Sequence, residues 1–294
     1  MATTFEVTEP GELLKFLFAS FPDKSRASVK SLLTHRLISV DGEIITQFNH
    51  PLAAGQKVEM RRAGEAGQGS GGVKIVFEDA HLVVIDKRAG LLSMATDLEK
   101  EKTAYSLLSD HVKRSNSRNR IFIVHRLDRE TSGLMMFAKS LAVQQALQEE
   151  WPESVLERIY VAVVEGNFQG PQGAITSWLT ENKALKMISS ATPNHGQKAT
   201  TRYRVLQTSP LYSLVELTLE TGRKNQIRVH LEELGHSVVG DEKYGAKDNP
   251  IRRLGLHAHI LSFRHPVTSA VLRFESPVPD EFLRLFRSQQ KARG

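Results

Sequence analysis

The chain has 294 residues, 40% hydrophobic and 24% charged, enough to bury a full core in one large domain or in a small one beside a medium one. Lysine and arginine outnumber aspartate and glutamate by 39 to 33, a net +6 that permits a polyanionic partner without demanding one. The absence of cysteine excludes disulfides, thiolate metal sites and a cysteine nucleophile.

The first apolar stretch, residues 13–21, contains Lys15 and is too short to span a bilayer. It follows Glu6, Glu9 and Glu12 where an export signal would be basic, so the chain reads as soluble and cytoplasmic. Leu13, Leu14, Phe16, Leu17 and Phe18 recur at helical spacing. After Pro22-Asp23, Ser25 is a candidate cap for a second helix carrying Ala27, Val29, Leu32 and Leu33. Residues 37–40 and 43–45 face each other across Asp41-Gly42, a strong hairpin signal, and a turn at 51–56 leads to a strand at 57–60. Lys24, Arg26, Lys30 and Arg36 fall in a stretch with no acid, with Arg26 and Lys30 one turn apart on one helix face. Charge alone reads there as a solvated helix face. Residues 63–72 hold five glycines in ten positions. Such a segment behaves as a tether with an r.m.s. reach of about 17 Å, which divides the chain into 1–62, a linker at 63–72, and 73–294.

As a set, the two helices, Val40-Asp41-Gly42, and Pro51-Leu52 with Gly55 and Val58 resemble the alpha-L RNA-binding module over residues 12–60. The resemblance implies that the basic second helix lies on RNA, through Lys24, Arg26, Lys30 and Arg36. Phosphate contacts of this kind set position more than sequence.

Beyond residue 72, strands are expected at 74–77, 82–85, 121–124, 133–138, 159–164, 200–205, 211–219 and 271–274. Helices are expected at 103–112, 141–150, 226–234 and 280–287. Strands follow one another without regular helical crossovers, which argues for an α+β fold with a largely antiparallel sheet flanked by helices. Residues 111–120 carry four cations and no acid, either a solvated loop or a second RNA-facing patch.

The segment with most chemical promise is His125-Arg126-Leu127-Asp128-Arg129-Glu130-Thr131-Ser132-Gly133. A carboxylate set between two guanidinium groups is favoured as the anion, and an ionised, positioned carboxylate can act as nucleophile or base; structural ion pairing is the bland alternative. The segment resembles the catalytic signature of RluA-type pseudouridine synthases. The resemblance implies that Asp128 is the catalytic residue and that Arg126 helps displace the flipped uridine. Lys87-Arg88-Ala89-Gly90-Leu91 is similar to the family's Lys-Pro-Ala-Gly-Leu, with Arg88 in place of proline. Arg158-Ile159-Tyr160 resembles its Lys-x-Tyr, whose tyrosine stacks on the base and is a candidate for removing the proton at C5. The stretch from Gly222-Arg223 through Gln226-Ile227-Arg228 to His230, with Gly240-Asp241 and Tyr244-Gly245, resembles the segment whose arginine, here Arg228, pairs with the catalytic aspartate. Arg126, Arg129 and Gln226 are then expected to contact substrate.

The implied reaction is an isomerisation and needs no cofactor, redox partner, ATP or metal. The implied partner is structured RNA, ribosomal RNA first and transfer RNA second, met by a monomer away from membranes. Two rival readings stand beside it: a catalytically idle RNA-binding factor, and a metal-dependent hydrolase using the late histidines, His230, His236, His257, His259 and His265. The latter lack cysteine, HExxH or carboxylate ligand spacing. The glycine-rich 64–72 segment lacks the Lys-Ser/Thr of a phosphate loop.

Overall fold

The computed structural model describes residues 3–22, 26–34, 38–45, 47–60, 72–95 and 103–290. Lys24, the Ser25 cap, Arg36 and nearly all of the glycine-rich segment lie outside these residues. The chain forms two compact units, residues 1–85 and 86–294.

In the first unit, β1 (Thr3–Glu6) and β2 (Gly11–Glu12) precede α1 (Leu13–Ser20) and α2 (Arg26–Thr34). Then come β3 (Ile38–Val40), β4 (Glu43–Ile44), β5 (Pro51–Leu52) and β6 (Lys57–Met60). The sheet order is β1-β6-β3-β4, with β2 and β5 as a separate pair. The hairpin expected at Asp41-Gly42 is present: both residues have positive φ (49° and 87°), as a tight two-residue turn between right-twisted strands demands. Asp41 further accepts from Lys57 N and Gln56 Nε2, both at 2.9 Å. Leu13, Leu17, Val29, Leu33, Ile38, Val40 and Val58 bury together, so the apolar faces of both helices close on the sheet. Arg26 lies on the exposed side, its guanidinium 5.6 Å from the Phe18 ring centre. The unit ends with β7 (Val73–Glu78) and most of β8 (Leu82–Lys87), joined by a turn in which Asp79 Oδ1 accepts from His81 N and Leu82 N.

The second unit contains α3 (Ala104–Ser115), β9 (Phe122–Ile123), β10 (Ser132–Ala138), α4 (Leu141–Glu149), α5 (Trp151–Ser154) and β11 (Val155–Glu165). It continues with β12 (Gln172–Glu181), β13 (Met187–Ser190), β14 (Gln197–Thr208), β15 (Tyr212–Leu219) and α6 (Gln226–Glu233). A single 3-10 turn (Glu242–Tyr244), β16 (Leu256–Arg264), β17 (Val271–Glu275) and α7 (Asp280–Gln290) complete it. Its sheet runs β13-β12-β14-β15-β11-β16-β10, with β17 on β16 and β9 on β10. Neighbours are antiparallel except β10 and β16, which run parallel with Ser132 opposite His257. This is the α+β architecture with a largely antiparallel sheet that the sequence suggests.

The parallel pair approaches closely. A Cβ on Gly133 (φ 110°) would lie 2.2 Å from Ala258 O, so both the conformation and the space require glycine. Strands β12, β13 and β16 were not expected. In β16 the alternation Leu256-His257-Ala258-His259 hides an apolar strand behind two histidines. Buried His257 is accommodated because its Nδ1 is hydrogen-bonded to Ser132 Oγ at 2.8 Å.

Candidate active site

Asp128 stands in the loop between β9 and β10, and that loop is held from several sides. Ser93 Oγ donates to Leu127 O (2.6 Å), and Thr131 N donates to Asp128 O (3.2 Å). The buried Lys87 ammonium donates to Arg88 O, Leu91 O and Arg129 O at 2.8–3.1 Å, and so joins the 87–91 loop to the signature loop. Burial pulls Lys87 down to about 8, against the attraction of Glu130 and Asp128.

Arg228 comes from the first turn of α6. That helix starts at Asn225, whose left-handed backbone (φ 53°) turns the chain out of β15. Arg228 Nη1 donates to Asp128 Oδ2 at 3.2 Å, bringing together residues 100 apart in sequence. A second carboxylate holds the same guanidinium more tightly: Nε donates to Asp241 Oδ2 at 2.6 Å and Nη2 to Asp241 Oδ1 at 2.7 Å. Asp241 is 1% exposed, against 35% for Asp128. Burial alone would pull the Arg228 guanidinium down, but the hydrogen bonds and charge of Asp241, then of Asp128, hold it above its ordinary value. Asn225 Oδ1 accepts from Arg228 Nη1 as well, Asn225 Nδ2 donates to Tyr244 Oη, and the Tyr244 ring lies 4.7 Å from the guanidinium carbon. The Gly-Asp-x-x-Tyr-Gly stretch therefore cradles Arg228. Sequence matching located that stretch without revealing this task.

Around the pair lies a cavity of about 380 Å³, lined among others by Arg126, Asp128, Tyr160, Arg158, Arg223, Gln226 and Arg228. Tyr160 sits half-buried on β11, opposite Leu217 of β15 and Ala258 of β16. Burial pushes its phenol up; Arg158 opposes that and Asp128 adds to it. Arg126 is exposed. Arg129 donates to Gly90 O (3.3 Å) and faces Glu130 at 3.6 Å. Gln226 is 2% exposed, and protein groups occupy both its ends: Oε1 accepts from Thr221 Oγ1 and Arg223 N, while Nε2 donates to Thr200 O and Thr201 Oγ1.

One further wall residue, Trp151, belongs to none of the sequence motifs. The Arg158 guanidinium lies 5.5 Å from the Trp151 ring centre, and Trp151 packs on His125 at 5.3 Å. Gly222 leaves the room for Arg158, since a Cβ there would meet Arg158 Nη1 at 2.6 Å. Burial and then the Arg158 charge push His125 down to about 3, and its Nε2 accepts from Met136 N. A neutral ring is the form that bond requires.

The late histidines bond to protein groups. His230 contacts Ser177 and Thr201, and burial lowers it to about 4; His236 contacts Glu165 O and His259 contacts Ser276 O. Among the described residues, no group of three or more His, Asp or Glu side chains is placed to hold a metal ion, and no helix is long and apolar enough to cross a membrane.

A sequence profile described as RNA pseudouridylate synthase matches residues 81–233. The RNA pseudouridine synthase YhcT of Bacillus subtilis is 31% identical over 270 residues, 90% of this chain and 89% of that protein. The ribosomal large subunit pseudouridine synthase D of Pseudomonas aeruginosa is 32% identical over 280 residues, covering 90% and 87%. Among solved structures, human RNA pseudouridylate synthase domain containing 4 superimposes with a TM-score of 0.60 at 25% identity, over 73% of this chain and 93% of that one. Together with an intact signature whose aspartate faces an arginine from α6, these similarities lead to one assignment: the chain belongs to the RNA pseudouridylate synthase family, in its RluA-type branch, and is an isomerase of that family.

Proposed function

We propose that this enzyme converts uridine to pseudouridine in structured ribosomal RNA, with Asp128 as the catalytic carboxylate. The observation that carries this reading is the Asp128–Arg228 ion pair inside a cavity of nucleoside size. The cavity wall includes four guanidinium groups (Arg126, Arg158, Arg223 and Arg228) and one carboxylate (Asp128), an excess of positive charge suited to a polyanion.

The reaction breaks the bond from C1′ to N1, rejoins C1′ to C5 and releases the C5 proton, while N1 takes up a proton in exchange. A base stacked in folded RNA must first leave the stack, and exposed Arg126 serves as the wedge that fills its place. Asp128 assists cleavage of the glycosidic bond. Arg228 balances and orients that carboxylate, and Asp241 orients Arg228. Tyr160 packs on the detached uracil while it turns and, as the phenolate left once its own proton has passed to solvent, takes the C5 proton. Gln226 fixes the cavity wall through its four hydrogen bonds, and Arg129 fastens the signature loop to Gly90 beside the RNA path.

Residues 1–62 act as an RNA-positioning module that uses Arg26 and Lys30 with Lys24 and Arg36, the segment 63–72 tethers it, and residues 73–294 perform the chemistry in a cytoplasmic monomer. Large-subunit ribosomal RNA is the substrate class named for the synthases D that resemble this chain.

The test is tritium release from RNA labelled at uridine C5. Wild type releases tritium without added cofactor. Asp128→Asn should bind the RNA and lose turnover by at least about 10⁴-fold, the scale of nucleophile knockouts. Residual activity above a few per cent of wild type would remove Asp128 from the chemistry.

A further inference from the structure

The four cations within residues 111–120 are not part of a loose loop. Helix α3 ends at Ser115, and the turn beyond it is tied down: Asn119 Nδ2 donates to Val112 O (3.0 Å) and Ser115 Oγ (3.1 Å), Arg118 N donates to Asn116 Oδ1 (2.9 Å), and Asn119 N donates to Asn116 O (3.0 Å). Arg120 Nη1 donates to Ser117 O and Asn119 O, which closes the turn while leaving its charge uncompensated. Residues 113–120 are all exposed.

Several other surface cations of the unit each face a carboxylate. Arg202 faces Glu220, Arg204 faces Glu216, Lys186 faces Glu232, Lys224 faces Glu181 and Arg273 faces Glu157. Lys113, Arg114 and Arg118 have no such carboxylate among the described residues, even though Asp110 lies one turn before the first two. Helix-end carbonyls favour Lys113 and Arg114 in the last turn of α3, but they do not account for Arg118 and Arg120 beyond it. Four residues, two of them in β9, separate Arg120 from His125 on the cavity wall, a span of five residue steps. That is at most about 17 Å, or about five base steps along a duplex.

We infer that this turn is a phosphate-backbone docking surface for the RNA strand flanking the target uridine. It supplies affinity and register and takes no part in the chemical step. Rigid, uncompensated cations at short range fit a polyanion that tracks past the cavity, and such contacts carry position without base identity. The inference rests on the cavity being the uridine site.

The probe is an in vitro transcript of large-subunit ribosomal RNA labelled with tritium at uridine C5. Binding and single-turnover release are measured between about 50 and 200 mM salt, the range over which phosphate contacts weaken steeply. Full-length wild type is compared with a Lys113→Gln, Arg114→Gln, Arg118→Gln variant and with a charge-conserving Lys113→Arg, Arg114→Lys, Arg118→Lys variant. The neutral variant should need about tenfold more RNA for half-saturation at low salt, and its log-affinity slope against log salt should be shallower by about 2–3. Its rate at saturating RNA should match wild type, and the charge-conserving variant should match wild type in every measure. An unchanged salt slope in the neutral variant overturns the inference, as does equal weakening of both variants. If wild type binds and the neutral variant loses slope, yet wild type releases no tritium, the docking surface stands and the reading of the cavity falls.

Discussion

Two carboxylates share one guanidinium, and the regions that present them differ in nearly every respect. Asp128 rides on a loop between two strands, keeps a third of its side chain exposed and takes one bond from Arg228 at 3.2 Å; its Oδ1 accepts no hydrogen bond among the described residues. Asp241 sits between α6 and the 3-10 turn, is almost fully buried and engages Arg228 with both oxygens. Bidentate pairing uses a carboxylate's geometry to fix direction, whereas a lone bond to an exposed carboxylate leaves lone pairs free for a substrate. Burial, and not residue type, separates the aspartate that aims the guanidinium from the one proposed to react.

Asp241→Asn tests that division most severely. Removing one partner of a buried pair strands the other charge and costs about 3–5 kcal/mol of stability, whereas Asp128→Asn should cost under about 1 kcal/mol. Denaturant midpoints of the two variants measure the contrast, and equal losses would erase the distinction. Turnover should fall in both. Tyr160 lines the same cavity as Asp128, so Tyr160→Phe asks whether proton removal belongs to a third region. Loss of acid–base catalysis predicts a fall of about 10²-fold or more with RNA binding kept, and wild-type turnover would reduce the tyrosine to a stacking platform.

Gly222→Ala touches the α6 side alone. The new methyl would push the flexible end of Arg158 off Trp151 without moving backbone, so a drop of roughly tenfold or less is expected, in half-saturation more than in saturated rate. The smallest effect should come from Arg26→Ala with Lys30→Ala, far from both aspartates in sequence. It should raise half-saturation severalfold, flatten the salt dependence by less than about 2, and spare the chemical step. A changed single-turnover rate at saturation would contradict the module's assignment to positioning.

Elements whose local chemistry is self-sufficient were legible in the sequence. Asp41-Gly42 announces its hairpin because both positions need positive φ, and Thr103 with Ser106 closes a capping box at the start of α3, where a helix was expected. Asp128, Arg228 and Tyr160 were legible through their motifs, and the structure brings all three to one cavity. What stayed hidden depends on partners distant in sequence. Strand β16 reads poorly because His257 owes its place to Ser132, 125 residues away. The hold of Asp241 on Arg228 needs the turn after α6, and Gly222 shows no need of positive φ; its role is a volume, visible only with Arg158 in position. Gln226 is expected to contact substrate because its motif travels with Arg228, and nothing in the string of residues reveals the four protein groups that also hold it.

The 100-residue separation between Asp128 and Arg228 also bears on the birth of the protein. Chains grow at about 5–20 residues per second, so roughly 5–20 s pass between the synthesis of the aspartate and that of its arginine. Asp241 follows 13 residues later and β16, which seats the Ser132–Gly133 end of the signature loop, later still. A nascent chain therefore displays its signature loop well before any guanidinium arrives to complete the pair, and long-range closure of this kind comes late in folding. Truncated products released before α6 would carry Asp128 without the arginine that it faces.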